Sequence, residues 1–169
     1  WVFGTLVLAC MVRQGRAQPP SYLVLDINPG SSSSYPTEML RSRGTLLFAA
    51  QDDVSGRKLW QTNGQDSGTL QVPQFPGSNP RSLTDVEGNL YFSARGLISG
   101  QELWIYDNTS TGPIRQVKDI YLNSGSSDPI LLRAVAGKLF FVADDGLFGK
   151  ELWVSTGSAS TTQRLSDFD

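Results

Sequence analysis

An all-β fold made of a repeated four-stranded antiparallel unit is predicted by three observations. Tryptophans recur at Trp60, Trp104 and Trp153, each 24 residues after a proline (Pro36, Pro80 and Pro129). Glycines keep the same register: Gly44, Gly88 and Gly137 stand 16 residues before each Trp, and Gly56, Gly100 and Gly149 stand four before it. Between these landmarks lie short alternating apolar runs, with no useful length of helical periodicity. The repeat of 44 and then 49 residues fixes the architecture before any chemistry is read.

The chain opens on Trp1 to Val12, an uncharged and mostly apolar stretch followed by Arg13-Gln14-Gly15-Arg16-Ala17. Residues 1–17 therefore read as the remnant of a secretory signal peptide cut after Ala17. A second reading makes Leu6 to Val12 a buried strand. The run is too short to span a bilayer as a helix. Residues 18–169 form the expected repeat domain, with units at about 21–64, 65–108 and 109–157 and the start of a fourth at 158–169.

Each unit carries four strand-like runs, which in the second are Leu70 to Phe75, Arg81 to Val86, Asn89 to Ala94 and Glu102 to Tyr106. Arg43-Gly44, Glu87-Gly88 and Ala136-Gly137 mark tight hairpins, because Gly accepts the positive φ that such turns need. In the third unit Leu139, Phe141 and Ala143 stand opposite Phe140 and Val142, so the strand is apolar on both faces. Such a strand must be covered on both sides. Stacked four-stranded sheets supply that cover, and a period of 40 to 50 with four strands fits a β-propeller-type repeat of about three blades, an incomplete ring. The opening strand of a fourth blade is expected at Arg164 to Phe168. Length varies between units only in the Ser/Gly-rich stretch after Asp26 and Asp119, which marks an exposed rim.

Composition narrows the chemistry. The 169 residues contain no His and one cysteine, Cys10, so His-based triads, a disulfide framework and a zinc cluster within one chain are all excluded. A net charge of −2 with scattered Lys and Arg argues against a nucleic-acid partner. No catalytic residue, cofactor or metal is expected.

Gly100-Gln101-Glu102-Leu103-Trp104 and Gly149-Lys150-Glu151-Leu152-Trp153, with Val117-Lys118-Asp119-Ile120 and Gly88-Asn89-Leu90-Tyr91-Phe92, resemble the Glu-Leu-Trp repeat family. The resemblance runs from Asp26 to about Asp169 and implies a secreted β-propeller or propeller-like array, without established catalytic residues. The chain departs from the pattern at Lys58, where the family has Glu. It departs again where the family's Ser-Asp-Gly-Thr turn has become Thr62-Asn63-Gly64, Tyr106-Asp107-Asn108 and Ser155-Thr156-Gly157.

Several residues admit two readings. Asp52-Asp53 and Asp144-Asp145-Gly146 are weak calcium candidates through their oxygens, or turn residues whose carboxylates cap local N–H groups. The second is favoured, because the middle unit has Ala94-Arg95-Gly96 there. A glycosidase carboxylate pair has no support in the spacing. Trp60, Trp104 and Trp153 are read as structural core with Leu59, Leu103, Leu152, Phe48, Phe92 and Phe141, rather than as sugar-stacking platforms. Ser31 to Ser34 and Ser124 to Ser127 offer hydroxyls to a glycan or mineral surface, or form plain loop. Asn108-Thr109-Ser110 fits the N-glycosylation pattern. The expectation is a secreted, non-enzymatic binding or scaffold module with protein partners or self-assembly through open blade edges. Alternatives are a structural component of a matrix, filament or mineral-associated assembly, and a lectin-like glycan-binding propeller.

Overall fold

The computed structural model describes residues 21–73, 75–107 and 114–165. The signal-peptide segment and Asn108 lie outside these residues. The chain is all-β, arranged as three four-stranded antiparallel sheets. The first holds β1 (Thr37–Ser42), β2 (Thr45–Asp52), β3 (Gly56–Thr62) and β4 (Leu70–Gln71). The second holds β5 (Ser78–Val86), β6 (Asn89–Arg95), β7 (Gln101–Tyr106) and β8 (Ile114–Lys118). The third holds β9 (Ile130–Val135), β10 (Lys138–Asp144), β11 (Lys150–Ser155) and β12 (Gln163–Arg164). Helix among the described residues is limited to single 3-10 turns at Asp66–Gly68 and Ala159–Thr161.

Strand order within each sheet follows the sequence, each strand pairing antiparallel with its neighbour along the chain. The β1–β2, β5–β6 and β9–β10 hairpins have positive φ at both central residues: 46° and 85° at Arg43-Gly44, 51° and 84° at Glu87-Gly88, 48° and 72° at Ala136-Gly137. This is the type I′ geometry, whose twist matches that of the flanking strands. The two central strands of each sheet share one register, which pairs Phe48 with Trp60, Phe92 with Trp104 and Phe141 with Trp153.

The grouping of strands corrects the sequence reading at two places. Leu70–Gln71 pairs with β3 and closes the first sheet instead of opening the second unit. Gln163–Arg164 pairs with β11, Trp153 opposite Arg164, and so ends the third sheet instead of starting a fourth. Both strands are two residues long, too short to carry a periodicity that would assign them. Val72 N–H to Leu59 O and Leu165 N–H to Leu152 O, each 2.8 Å, anchor both in the same way.

Two buried clusters join the sheets in series. Leu47 and Leu59 of the first sheet meet Leu90, Phe92, Ala94 and Trp104 of the second, together with Phe75, whose ring stands edge-on to Trp104 at 5.6 Å. Tyr91, Leu103 and Ile105 from the opposite face of the second sheet meet Leu139, Phe141, Ala143 and Trp153 of the third. Phe92 and Leu103 are 0 % exposed on opposite faces of one sheet, which is why the middle strands read as apolar on both sides. Burial of each such side chain stabilises by about 1.5–3 kcal/mol.

Candidate functional site

The polar centre of the molecule is a buried carboxylate that clamps the loop between β8 and β9. Glu102 on β7 is fully buried, 18 to 25 residues from the groups that hold it. It accepts from Ile120 N at 3.0 Å, Tyr121 N at 3.3 Å, Ser127 N at 3.0 Å and Ser127 Oγ at 2.7 Å. Burial pushes its carboxyl above the ordinary glutamate range, and these donors pull part of that shift back. The next loop is thereby stitched onto the sheet before it: Gly100 N donates to Gly125 O, and Gln101 N to Ser126 Oγ.

This revises the picture of an exposed Ser-rich rim. Ser31, Ser32, Ser33 and Ser124 are exposed, whereas Ser127 is fully buried and spends its hydroxyl on Glu102. The physical reason is that a buried carboxylate must be hydrogen-bonded. The sequence signal was a Glu flanked by buried Leu103, whose side chain points to the other face.

Each acidic turn is occupied by its own backbone. Asp52 accepts from Val54 N, Ser55 N and Ser55 Oγ, and from Gln71 Nε2 at 3.0 Å. The Ser55 N–H and hydroxyl hold its carboxyl below the usual range. Asp53 exchanges two 3.2 Å bonds with the Asn28 side chain. Asp144 accepts from Gly146 N at 2.7 Å, and Asp145 from Leu147 N and Phe148 N, with Arg164 3.7 Å away. Among the described residues no three His, Cys, Asp or Glu are grouped as a metal site requires.

The tryptophans are 5–8 % exposed, and Trp104 and Trp153 lie in the two seams. Trp104 and Trp153 donate from Nε1 to Ala94 O at 2.9 Å and Ala143 O at 3.0 Å. Trp60, on the outer face of the first sheet, has no partner for its buried Nε1 and packs with Phe48, Ala50, Leu25 and Ile27. Leu59 and Leu103 are 0 % exposed, while Leu152 is half-buried on the outer face of the third sheet. Two hydroxyl pairs unseen in the sequence brace the 3-10 turns: Thr62 with Thr69 at 2.6 Å and Ser155 with Thr162 at 2.7 Å.

One surface feature recurs in all three sheets. The β2–β3, β6–β7 and β10–β11 turns present Val54, Ile98 and Leu147 at matched positions, 97, 91 and 82 % exposed. Glu87 of one hairpin lies against Gly137 of the next, so the hairpins line up at one end of the stack and these turns at the other. Asp52 fixes the backbone of the first of these turns and Asp144 and Asp145 that of the third, while the middle turn closes through Gly96 N to Gly100 O at 3.2 Å.

Among the described residues no helix is long and apolar enough to cross a membrane. Comparison with protein-family models, with curated proteins and with solved structures gives no match.

Proposed function

We propose that the chain is a non-enzymatic extracellular binding and scaffold module, built as a propeller-like array of the Glu-Leu-Trp repeat type. The motif residues support this reading by being architectural: Glu102, Trp104 and Trp153 join sheet to sheet, leaving interaction to the surfaces. The observation that carries it is the matched set Val54, Ile98 and Leu147. Exposed aliphatics held on rigid turns favour a protein partner, which can desolvate them. A glycan would instead call for aromatic platforms and free hydroxyls.

The test compares the chain with the triple variant Val54→Ser/Ile98→Ser/Leu147→Ser for retention of extracellular-matrix proteins and on a glycan array. Protein retention that disappears in the triple variant, with thermal stability unchanged, is the expected result. Glycan binding that survives the triple change but is lost on altering Ser31 to Ser33 would replace this reading with a lectin-like one. Turnover of an ester, glycoside or peptide substrate, abolished by changing Asp144 and Asp145, would overturn it.

A further inference from the structure

The turn after β3 brings together what an asparagine needs to lose its side-chain amide. Asn63-Gly64 is the one Asn-Gly pair in the sequence. Asn63 is exposed, and its side-chain carbonyl accepts from Gln65 N at 3.0 Å. A Cβ at Gly68 would meet Asn63 Oδ1 at 2.0 Å and Nδ2 at 2.5 Å, so the amide lies against the bare backbone of the 3-10 turn and is held there. The Gly64 N–H donates to Thr62 Oγ1 at 3.0 Å. Gly64 has a φ of 89°, and a Cβ there would meet no atom within 4 Å, so nothing crowds the backbone where the two groups approach.

The third sheet repeats this turn without its chemistry. Gly157 N donates to Ser155 Oγ at 3.0 Å, as Gly64 N does to Thr62, but Thr156 stands in the place of Asn63. Gly157 is also closely packed, since a Cβ there would meet Tyr91 Oη at 2.8 Å and Ile105 Cδ1 at 3.0 Å. Asn123 is exposed like Asn63, but the residue after it is Ser124, whose side chain hinders approach to its nitrogen.

We propose that Asn63 is a site of spontaneous deamidation, promoted by its own turn, with water as the co-reactant. Base removes the Gly64 N–H proton, which Thr62 Oγ1 already polarises, and the nitrogen bonds to Asn63 Cγ. Negative charge develops on Oδ1, at which the Gln65 N–H is already aimed. The Cγ–Nδ2 bond then breaks, Nδ2 takes up a proton and leaves as ammonia, and a cyclic imide joins residues 63 and 64. Water opens the imide at Cγ to give aspartate, or at the main-chain carbonyl to give isoaspartate. Both products carry a carboxylate where a neutral amide stood. Asn63 and Gly64 line a cleft together with Arg41, whose guanidinium has no partner among the described residues, so the reaction sets an anion beside an unpaired cation.

Peptide mass mapping of the full chain, incubated at mildly alkaline pH, tests this. The mass change of amide-to-acid conversion is expected in the peptide holding Asn63 well before the one holding Asn123, with an equal amount of ammonia released. Gly64→Ala brings the rate at Asn63 down to that at Asn123. Alanine at this positive φ strains the turn, so a second variant keeps the glycine. Thr62→Ala slows the reaction by about fivefold, the worth of one modest hydrogen bond, and Thr62→Ser restores it. Thermal unfolding checks that the sheets are intact in each variant. An Asn63 still unmodified when Asn123 has reacted overturns the proposal, as does a Gly64→Ala chain that reacts as fast as the original. A rate unchanged or raised in Thr62→Ala overturns the part assigned to the turn. The Val54, Ile98 and Leu147 surface plays no role in any of these outcomes.

Discussion

Ser127 holds Glu102 with both its N–H and its hydroxyl, at 3.0 and 2.7 Å across 25 residues, and so ties the loop before the third sheet to the second sheet. Ser127→Ala removes one bond to a buried carboxylate and lowers stability by about 1.5–3 kcal/mol. Glu102→Ala strands the N–H groups of Ile120, Tyr121 and Ser127 together and costs more. Urea midpoints of the two variants check the order, and equal midpoints would contradict the clamp.

The same carboxylate sets a pH dependence. Its folded pKa lies above the unfolded one, so its contribution is present in full below the ordinary glutamate value and is lost as pH rises through the raised pKa. Asp52, whose carboxyl is lowered, acts oppositely: its contribution is present above the ordinary aspartate value and is lost as pH falls. Glu102→Gln should flatten the decline on the neutral side, and Asp52→Asn the decline on the acid side. Unfolding curves from about pH 3 to pH 7 separate the two.

Trp104→Ala and Trp153→Ala each open a seam and cost about 3–5 kcal/mol. Asp144→Ala removes one exposed turn bond and costs within about 1 kcal/mol. The conservative change to Phe divides the tryptophans further. Trp104→Phe loses the bond to Ala94 O, about 1 kcal/mol, while Trp60→Phe loses no hydrogen bond. Thermal unfolding that shows the larger penalty at position 60 would contradict these assignments.

The matched turn residues are expected to be silent in folding. Val54→Ser, Ile98→Ser and Leu147→Ser each change stability by within about 0.5 kcal/mol, since each side chain is already solvated. A large loss in any one would show that it packs somewhere in solution.

The repeat landmarks made the three sheets legible in the sequence, because Gly in a type I′ turn and a Phe–Trp cross-strand pair each need one residue type at one place. Leu70–Gln71 and Gln163–Arg164 were not assignable, since two residues carry no period and the pairing partner decides. Glu102 was visible as a motif letter but not as a clamp: both faces of β7 are buried, so alternation does not reveal which side is polar. The Ser-rich stretch looked uniform, yet burial separates Ser124 from Ser127 three residues later. Val54, Ile98 and Leu147 are not legible in the sequence, because a single aliphatic in a turn carries no signal until the fold brings three to matched positions.

Joined in series, the two seams are fastened differently. The second is closed by Glu102, while the first has Lys58 at that position, reaching Gly77 O at 2.6 Å with its ammonium 5.7 Å from the Phe75 ring. Tension drawn along the chain passes through both joints in turn: the first is held by bonds spread along the seam, Lys58 to Gly77 O, Ser42 Oγ to Asp85 and Leu83 N to Glu38, and the second by the bonds gathered on Glu102 with Arg115 to Gly157 O and Lys118 to Thr162 O.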